Sequence, residues 1–234
     1  METLEYSYVF EFEDGRQQQF DVRFNAETYT MVSPKLQTPP PWTELKHHQC
    51  PHCPLKASDE KYCPVAANTA VVAEHYGEII SHKTVQVCVI SPKRTISGKT
   101  TVQRALSSLL GLLIATSECP HTHFFRPMAR FHLPLASEEE TVFRAIATYF
   151  LAKYFKGEKT SVFDLDALLE IYSNMQIINE HLVKRLQSVS SGDATKNAVV
   201  LLHLLSCVLP MSLDQALDNL RPLFKGLLEN HQGP

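Results

Sequence analysis

Long apolar runs are missing from this sequence. A membrane-spanning helix needs roughly 18 consecutive apolar residues, and the nearest candidates, 109–115 and 198–205, are too short or are interrupted by His203. The opening METLEYSYVFEFEDG lacks a basic start, an apolar centre and a small-residue cleavage site, so no secretory signal is expected and a reducing cytoplasm is the expected compartment. Charge of one sign is not in excess: 22 Lys and Arg against 25 Asp and Glu give a net charge of -3. That excludes a global electrostatic attraction to nucleic acid or to an anionic membrane. Glycine is scarce, 8 in 234 residues, and the scarcity matters at Ser97-Gly98-Lys99-Thr100. This stretch resembles the end of a phosphate-binding loop, yet the position of the loop's first glycine is Lys93. One glycine cannot build the nest of amides, so the expected reading is a helix start with Ser97 as N-cap. No Ser-His-Asp nucleophile signature, internal repeat or low-complexity tract is present, and His181 and His203 lack the repeated Glu-x-x-His pattern of di-iron bundles. No catalytic residue is assigned, and the question of enzyme activity is left open.

What is there suffices for a real core: 44% of the residues are hydrophobic, and the length suits one large domain or two small ones. Residues 4–32 alternate apolar and polar, with Tyr6, Tyr8, Phe10 and Phe12 in one run, Phe20, Val22 and Phe24 in the next, and Asp14-Gly15 between them. The pattern predicts a hairpin with one buried face and a third strand near 29–32. A helix over 65–76, opened by Pro64 and stopped at Gly77, a strand over 84–90 and a helix over 100–116 follow. After Pro134 the signals are helical throughout. Ser137-x-x-Glu140 and Ser212-x-x-Gln215 read as capping boxes, and segments near 138–157, 163–189 and 194–208 with a last helix from 212 predict a four-helix unit. The expected fold is α+β: residues 1–136 as a small antiparallel sheet with a proline-rich cysteine loop, and 137–234 as a helical bundle.

Between Ser33 and Pro64 the chain carries seven prolines, at positions 34, 39, 40, 41, 51, 54 and 64, which exclude a long helix or central strand. A long irregular segment in a compact domain needs something to tie it down. Three of the six cysteines lie here. Four of the six, Cys50, Cys53, Cys63 and Cys119, are each followed by proline, and chance would produce this with a probability of roughly 2 in 10,000 at this chain's proline content. A proline after a ligand cysteine restricts the backbone and turns the chain away, which suits a thiolate held around an ion. Cys88 and Cys207 lack it and sit in apolar runs, where cysteine behaves as a small hydrophobe.

The spacing Cys-x2-Cys-x9-Cys-x55-Cys supplies three ligands from one loop and the fourth from the end of a helix. Zinc takes four thiolates tetrahedrally, with Cys-x2-Cys as its usual chelating pair; a [4Fe-4S] cluster also takes four cysteines. Either assembly carries a formal charge near -2, and Arg126, Arg130 and His132 are the basic residues expected around it. The histidines gather near the cysteines, so one of His47, His48, His52, His121, His123 or His132 is an alternative ligand in a Cys3His site. Two other chemistries stay open. A cysteine-proline haem sensor would use one thiolate as axial ligand. Cys50-Pro51-His52-Cys53 matches the tetrad of thioredoxin-superfamily disulfide oxidases, whose thiol sits at a helix N-terminus after a buried strand; here PPPWTELKHHQ precedes it and Pro54 follows.

The stretches PPWTELKHHQCPHCPL, Cys63-Pro64-Val65-Ala66 and Cys119-Pro120 followed by Arg126-Pro127-Met128-Ala129-Arg130-Phe131-His132-Leu133-Pro134 resemble the motifs of a family of uncharacterised bacterial cytosolic proteins. The resemblance runs through nearly the whole chain and all four Cys-Pro steps. It implies a common fold and a common cysteine site, and it brings no activity with it. The expected biochemistry is therefore metal binding by Cys50, Cys53, Cys63 and Cys119, with zinc as a structural ion, an iron-sulfur regulator as the alternative and a thiol oxidoreductase behind both. A protein partner of unidentified kind is left open.

Overall fold

A computed structural model describes residues 2–76, 79–157, 164–189 and 193–229. The α+β expectation holds: five antiparallel strands come from the first half, and the second half is helical. Strand β1 (Thr3–Phe12) pairs with β2 (Gln17–Asn25) across the Asp14-Gly15 turn, where Gly15 takes φ 83, a left-handed conformation that glycine adopts without penalty. β3 (Met31–Ser33), β4 (Thr84–Ile90) and β5 (Thr95–Thr101) complete the order β3-β2-β1-β4-β5. Every second residue faces one side: Leu4, Tyr6, Tyr8, Phe10, Phe12, Phe20, Val22, Phe24, Val85, Val87 and Val89 are all buried. Helices α1 (Pro64–Tyr76) and α2 (Val102–Ala115) lie against this face, with the Tyr76 ring 5.1 Å from that of Phe10.

Three expectations need correction. Ser97-Gly98-Lys99-Thr100 lies inside β5, so it is neither a phosphate loop nor a helix start; α2 begins at Val102 and is capped by Thr101, whose hydroxyl accepts from the Arg104 amide. The lone glycine has a packing reason. A Cβ on Gly98 would stand 3.3 Å from Leu135 Cδ1, so the missing side chain makes room for the segment that leads into the bundle. Second, Cys88 is not in the core: strand alternation turns it to the outer face of β4, half-exposed and opposite Val9, and Cys207 is likewise only half-buried.

The third correction concerns the last helices. α3 (Arg126–Arg130), α4 (Glu138–Phe155) and α5 (Asp166–Gln187) precede α6, which runs unbroken from Asp193 to Leu220 through Pro210 and the expected start at Ser212. Proline cannot donate to the carbonyl four residues back. That carbonyl, of Ser206, is satisfied instead by the Gln176 side-chain amide of α5 at 3.1 Å, so the helix continues. A short α7 (Lys225–Glu229) ends the description. The expected helix stop at Gly77 and the expected start of the second bundle segment at 163 lie outside the described residues. Ser137 does form the complete capping box, accepting from the Glu140 amide while the Glu140 carboxylate accepts from its own N–H.

The largest hydrophobic cluster joins the sheet, α1 and α2 to Met175, Ile178, Leu182 and Leu186 of α5 and to Ala194, Ala198 and Val199 of α6. A second cluster gathers α4, the start of α5 and the end of α6 around Val142, Tyr149, Leu168, Tyr172 and Leu220. α5 belongs to both.

Candidate metal centre

The proline-rich segment is ordered by backbone pairing at its neck. A short 3-10 turn over Pro41–Thr43 buries Trp42 and Thr43, and Glu44 forms an antiparallel bridge with Tyr62. The Leu45 amide donates to the Lys61 carbonyl at 2.9 Å and the Cys63 amide to the Thr43 carbonyl at 2.8 Å. Residues 46–61 therefore form a closed loop. At its tip the Cys53 amide donates to the Cys50 carbonyl, making a turn of Cys-x2-Cys, and the Gln49 side chain caps the Leu55 carbonyl. Cys63 stands directly before α1, its carbonyl accepting from the Ala67 amide at 2.8 Å. Pro64 is preorganised for that first helical position.

The fourth cysteine arrives from the far side. α2 ends at Ala115, and the fully buried Thr116 and Ser117 lead into Cys119, whose amide donates to the Ser117 hydroxyl. A 3-10 helix over Pro120–Phe125 follows, and within it His121 Nε2–H donates to the His52 carbonyl at 3.1 Å. The His52 and His121 rings lie 4.3 Å apart. Both His52 ring nitrogens are buried without a hydrogen-bond partner among the described residues. Burial, with His121 and His181 nearby, holds this imidazole below its usual range.

These elements bring all four Cys-Pro cysteines to one small cavity of about 20 Å³, lined also by His121 and Arg185. Cys119 is buried and the other three are half-buried; all are free thiols. Burial pushes the Cys50 thiol up to about 12, with Cys63, Cys53 and Cys119 adding to the effect, and burial likewise pushes Cys119 up to about 12. The direction is opposite to that of a nucleophilic or oxidising thiol, which needs a stabilised thiolate. Among the described residues, no group of three or more His, Cys, Asp or Glu side chains stands in an arrangement that holds an ion as it is. The four thiols share this one cavity.

The basic residue at the cavity is Arg185 of α5. It is 2% exposed and spends its guanidinium on the proline-rich segment, donating to the carbonyls of Trp42 at 2.9 Å, Glu44 at 2.7 Å and Leu45 at 3.1 Å. Burial lowers its pKa, and Cys63, Cys50 and Cys53 work against that shift. Two histidine contacts extend the seam: His181 Nδ1–H donates to the His48 carbonyl at 2.9 Å, and His47 Nε2 meets the Ser188 hydroxyl at 2.8 Å. His48 itself has φ 47, an unusual conformation for a residue with a side chain, held by these neighbours. The sequence signal for Arg185 is its register, since it continues the buried face of Ile178 and Leu182.

The structure places the other basic residues elsewhere than the walls of this cavity. Arg126 donates to the Ser117 carbonyl at 3.4 Å, two residues before Cys119. Arg130 lies over the Phe131 ring, and His132 pairs with Tyr8 of the sheet. His123 is exposed.

Comparison with protein families adds one match: the model of a domain of unknown function, DUF6901, matches residues 5–225. The chain belongs to the DUF6901 family. That match covers the sheet, the cysteine loop and the helices together, so the DUF6901 unit includes both sides of the cysteine cavity. No curated protein and no solved structure matches the chain. No helix among the described residues is long and apolar enough to cross a membrane.

Proposed function

We propose that Cys50, Cys53, Cys63 and Cys119 hold a single zinc ion whose role is structural, fastening the proline-rich loop to α1, α5 and the turn after α2. The observation that carries this reading is the meeting of these four cysteines, and neither of the other two, at one cavity. The choice of a lone ion rests on the donor set: zinc takes four thiolates tetrahedrally, with Cys-x2-Cys as its usual chelating pair. Chemically, zinc would replace the thiol protons and relieve the mutual repulsion that burial imposes on the thiolates. Four thiolates on Zn²⁺ leave a charge of about -2, and Arg185 contributes a buried positive charge beside them while its N–H groups bond three carbonyls at the neck of the loop. His121, bonded to the loop backbone, orients the Cys-x2-Cys turn. The cellular setting of this reading is the cytoplasm, where thiols stay reduced.

Elemental analysis of protein purified anaerobically without an affinity metal, together with its visible spectrum, tests the reading. One zinc per chain and no colour is the expected result. Cys119→Ser and Cys50→Ser should each lose the ion, whereas Cys88→Ser and Cys207→Ser should keep full metal content. About four irons with acid-labile sulfide and a broad band near ~400 nm would replace zinc with a redox-responsive cluster, and a metal-free colourless protein would end both readings.

A further inference from the structure

A second cavity, of about 420 Å³, lies between α2, α5, α6 and the segment that joins α3 to α4. This is within the range of small-molecule sites. It follows α2 from Arg104 to Ala115, about 16 Å at the rise of a helix. Its walls are mostly apolar, from residues such as Leu112, Phe125, Met128, Met175, Leu202 and Leu205. The polar groups are few and grouped.

At one end stand His132 and Arg144. Leu135 N–H donates to the Ser108 hydroxyl, which meets the Tyr8 hydroxyl at 3.0 Å, and Tyr8 in turn meets His132 Nε2. With Tyr8 donating to Nε2, the ring proton lies on Nδ1. Arg144 donates to the carbonyls of Met128 at 2.7 Å and Phe131 at 3.0 Å. Neither Arg144 nor Arg104 has a carboxylate within ion-pairing distance among the described residues. Glu138, exposed at the start of α4, is the one carboxylate among the described lining residues.

Toward the other end stands Asn179, seven residues along α5 from Tyr172, about 10 Å. It is 1% exposed; its Nδ2 reaches the Ser206 hydroxyl, while Oδ1 is buried without a partner among the described residues. An unpaired buried acceptor calls for a donor. The apolar walls supply none.

We propose that this cavity binds an amphipathic carboxylic acid, its carboxylate at Arg144 and His132, its apolar body along α2, and a hydroxyl or amide N–H donating to Asn179. The site is separate from the cysteine cavity, and nothing in the argument depends on a metal.

Calorimetric titration of the full chain with 10-hydroxydecanoate, decanoate and 1,10-decanediol, each below its aggregation concentration, tests all three parts. The hydroxy acid should bind one-to-one and most tightly. Arg144→Gln should weaken it by roughly tenfold or more while leaving the diol almost unchanged, and Asn179→Leu should make the hydroxy acid and decanoate equal. Gly111→Leu, whose side chain grows toward Leu202, should block all three ligands. The proposal is overturned if none of them binds, if the diol binds wild type as well as the hydroxy acid does, if decanoate matches the hydroxy acid, or if Gly111→Leu binds like wild type. Because Arg144 also holds two carbonyls, thermal unfolding accompanies each variant; should Arg144→Gln not fold, the preference of wild type for acid over diol decides.

Discussion

The two cavities lie on different sides of one helix and are built by opposite means. Ile178 and Arg185 of α5 face the small thiol-lined space; Tyr172, Met175 and Asn179 face the large apolar one. Around the thiols the wall is irregular backbone held by hydrogen bonds from side chains, three of them from a single arginine. Around the apolar space the wall is regular helix held by side-chain packing, with a hydrogen-bonded relay from the sheet at one end. The first arrangement concentrates its stability in a few groups, and the second spreads it over many.

The difference is broken most severely at Arg185. Arg185→Leu leaves the buried carbonyls of Trp42 and Leu45 without donors and the Glu44 carbonyl with the His47 amide alone, and the expected loss is about 3–5 kcal/mol in denaturant unfolding. Limited proteolysis should then cut first within 46–61, with the apolar cavity's ligand binding retained in the surviving folded fraction. Uniform cleavage across the chain would mean that the loop is not locally held.

A smaller effect separates the cavities through acid. Burial, with Arg144 adding to it, lowers His132 to about 3, whereas in the unfolded chain the ring titrates near its ordinary 6.5. Between these values the unfolded chain binds a proton that the folded protein refuses, so stability is full above about pH 6.5 and falls as pH falls through the window, by up to about 1.4 kcal/mol per unit. His132→Gln should remove that part of the slope, measured as unfolding free energy between pH 6.5 and 4.5. Parallel curves for the two proteins would show that the relay from Tyr8 carries no such linkage.

The smallest effect sharpens the contrast by its evenness. Ser137→Ala removes one side of the capping box that opens α4 beside the apolar cavity, and about 1 kcal/mol of stability should go with it. Metal content should not change.

Local rules made most of the fold legible. Alternation gave β1, β2 and β4, Pro64 gave the start of α1, and the Ser137 capping box gave the start of α4. β5 was missed because TISGKTT carries no buried row to reveal its period, being an edge strand with polar residues on both faces. The fusion of the last helices was missed because proline argues for a break, and the donor that prevents one, Gln176, comes from another helix. At the site, the following proline separated four cysteines from two, and the structure brings those four to one cavity. Arg185 was not foreseen, since its partners are carbonyls some 140 positions away. Its nearness to Cys119 in sequence predicts His132 beside the cysteines, whereas its partner, Tyr8, is 124 positions distant.

The margins of the sheet set how this chain can meet other chains. On one side β3 offers only three residues, and on the other β5 presents threonines, a serine and Lys99 where an apolar row would invite a neighbour. Short, polar borders of this kind discourage strand-by-strand addition and the fibrous growth that follows from it. Association through the sheet edges is thereby disfavoured, while Tyr154, Phe155 and Leu227 stand open to solvent on the helices.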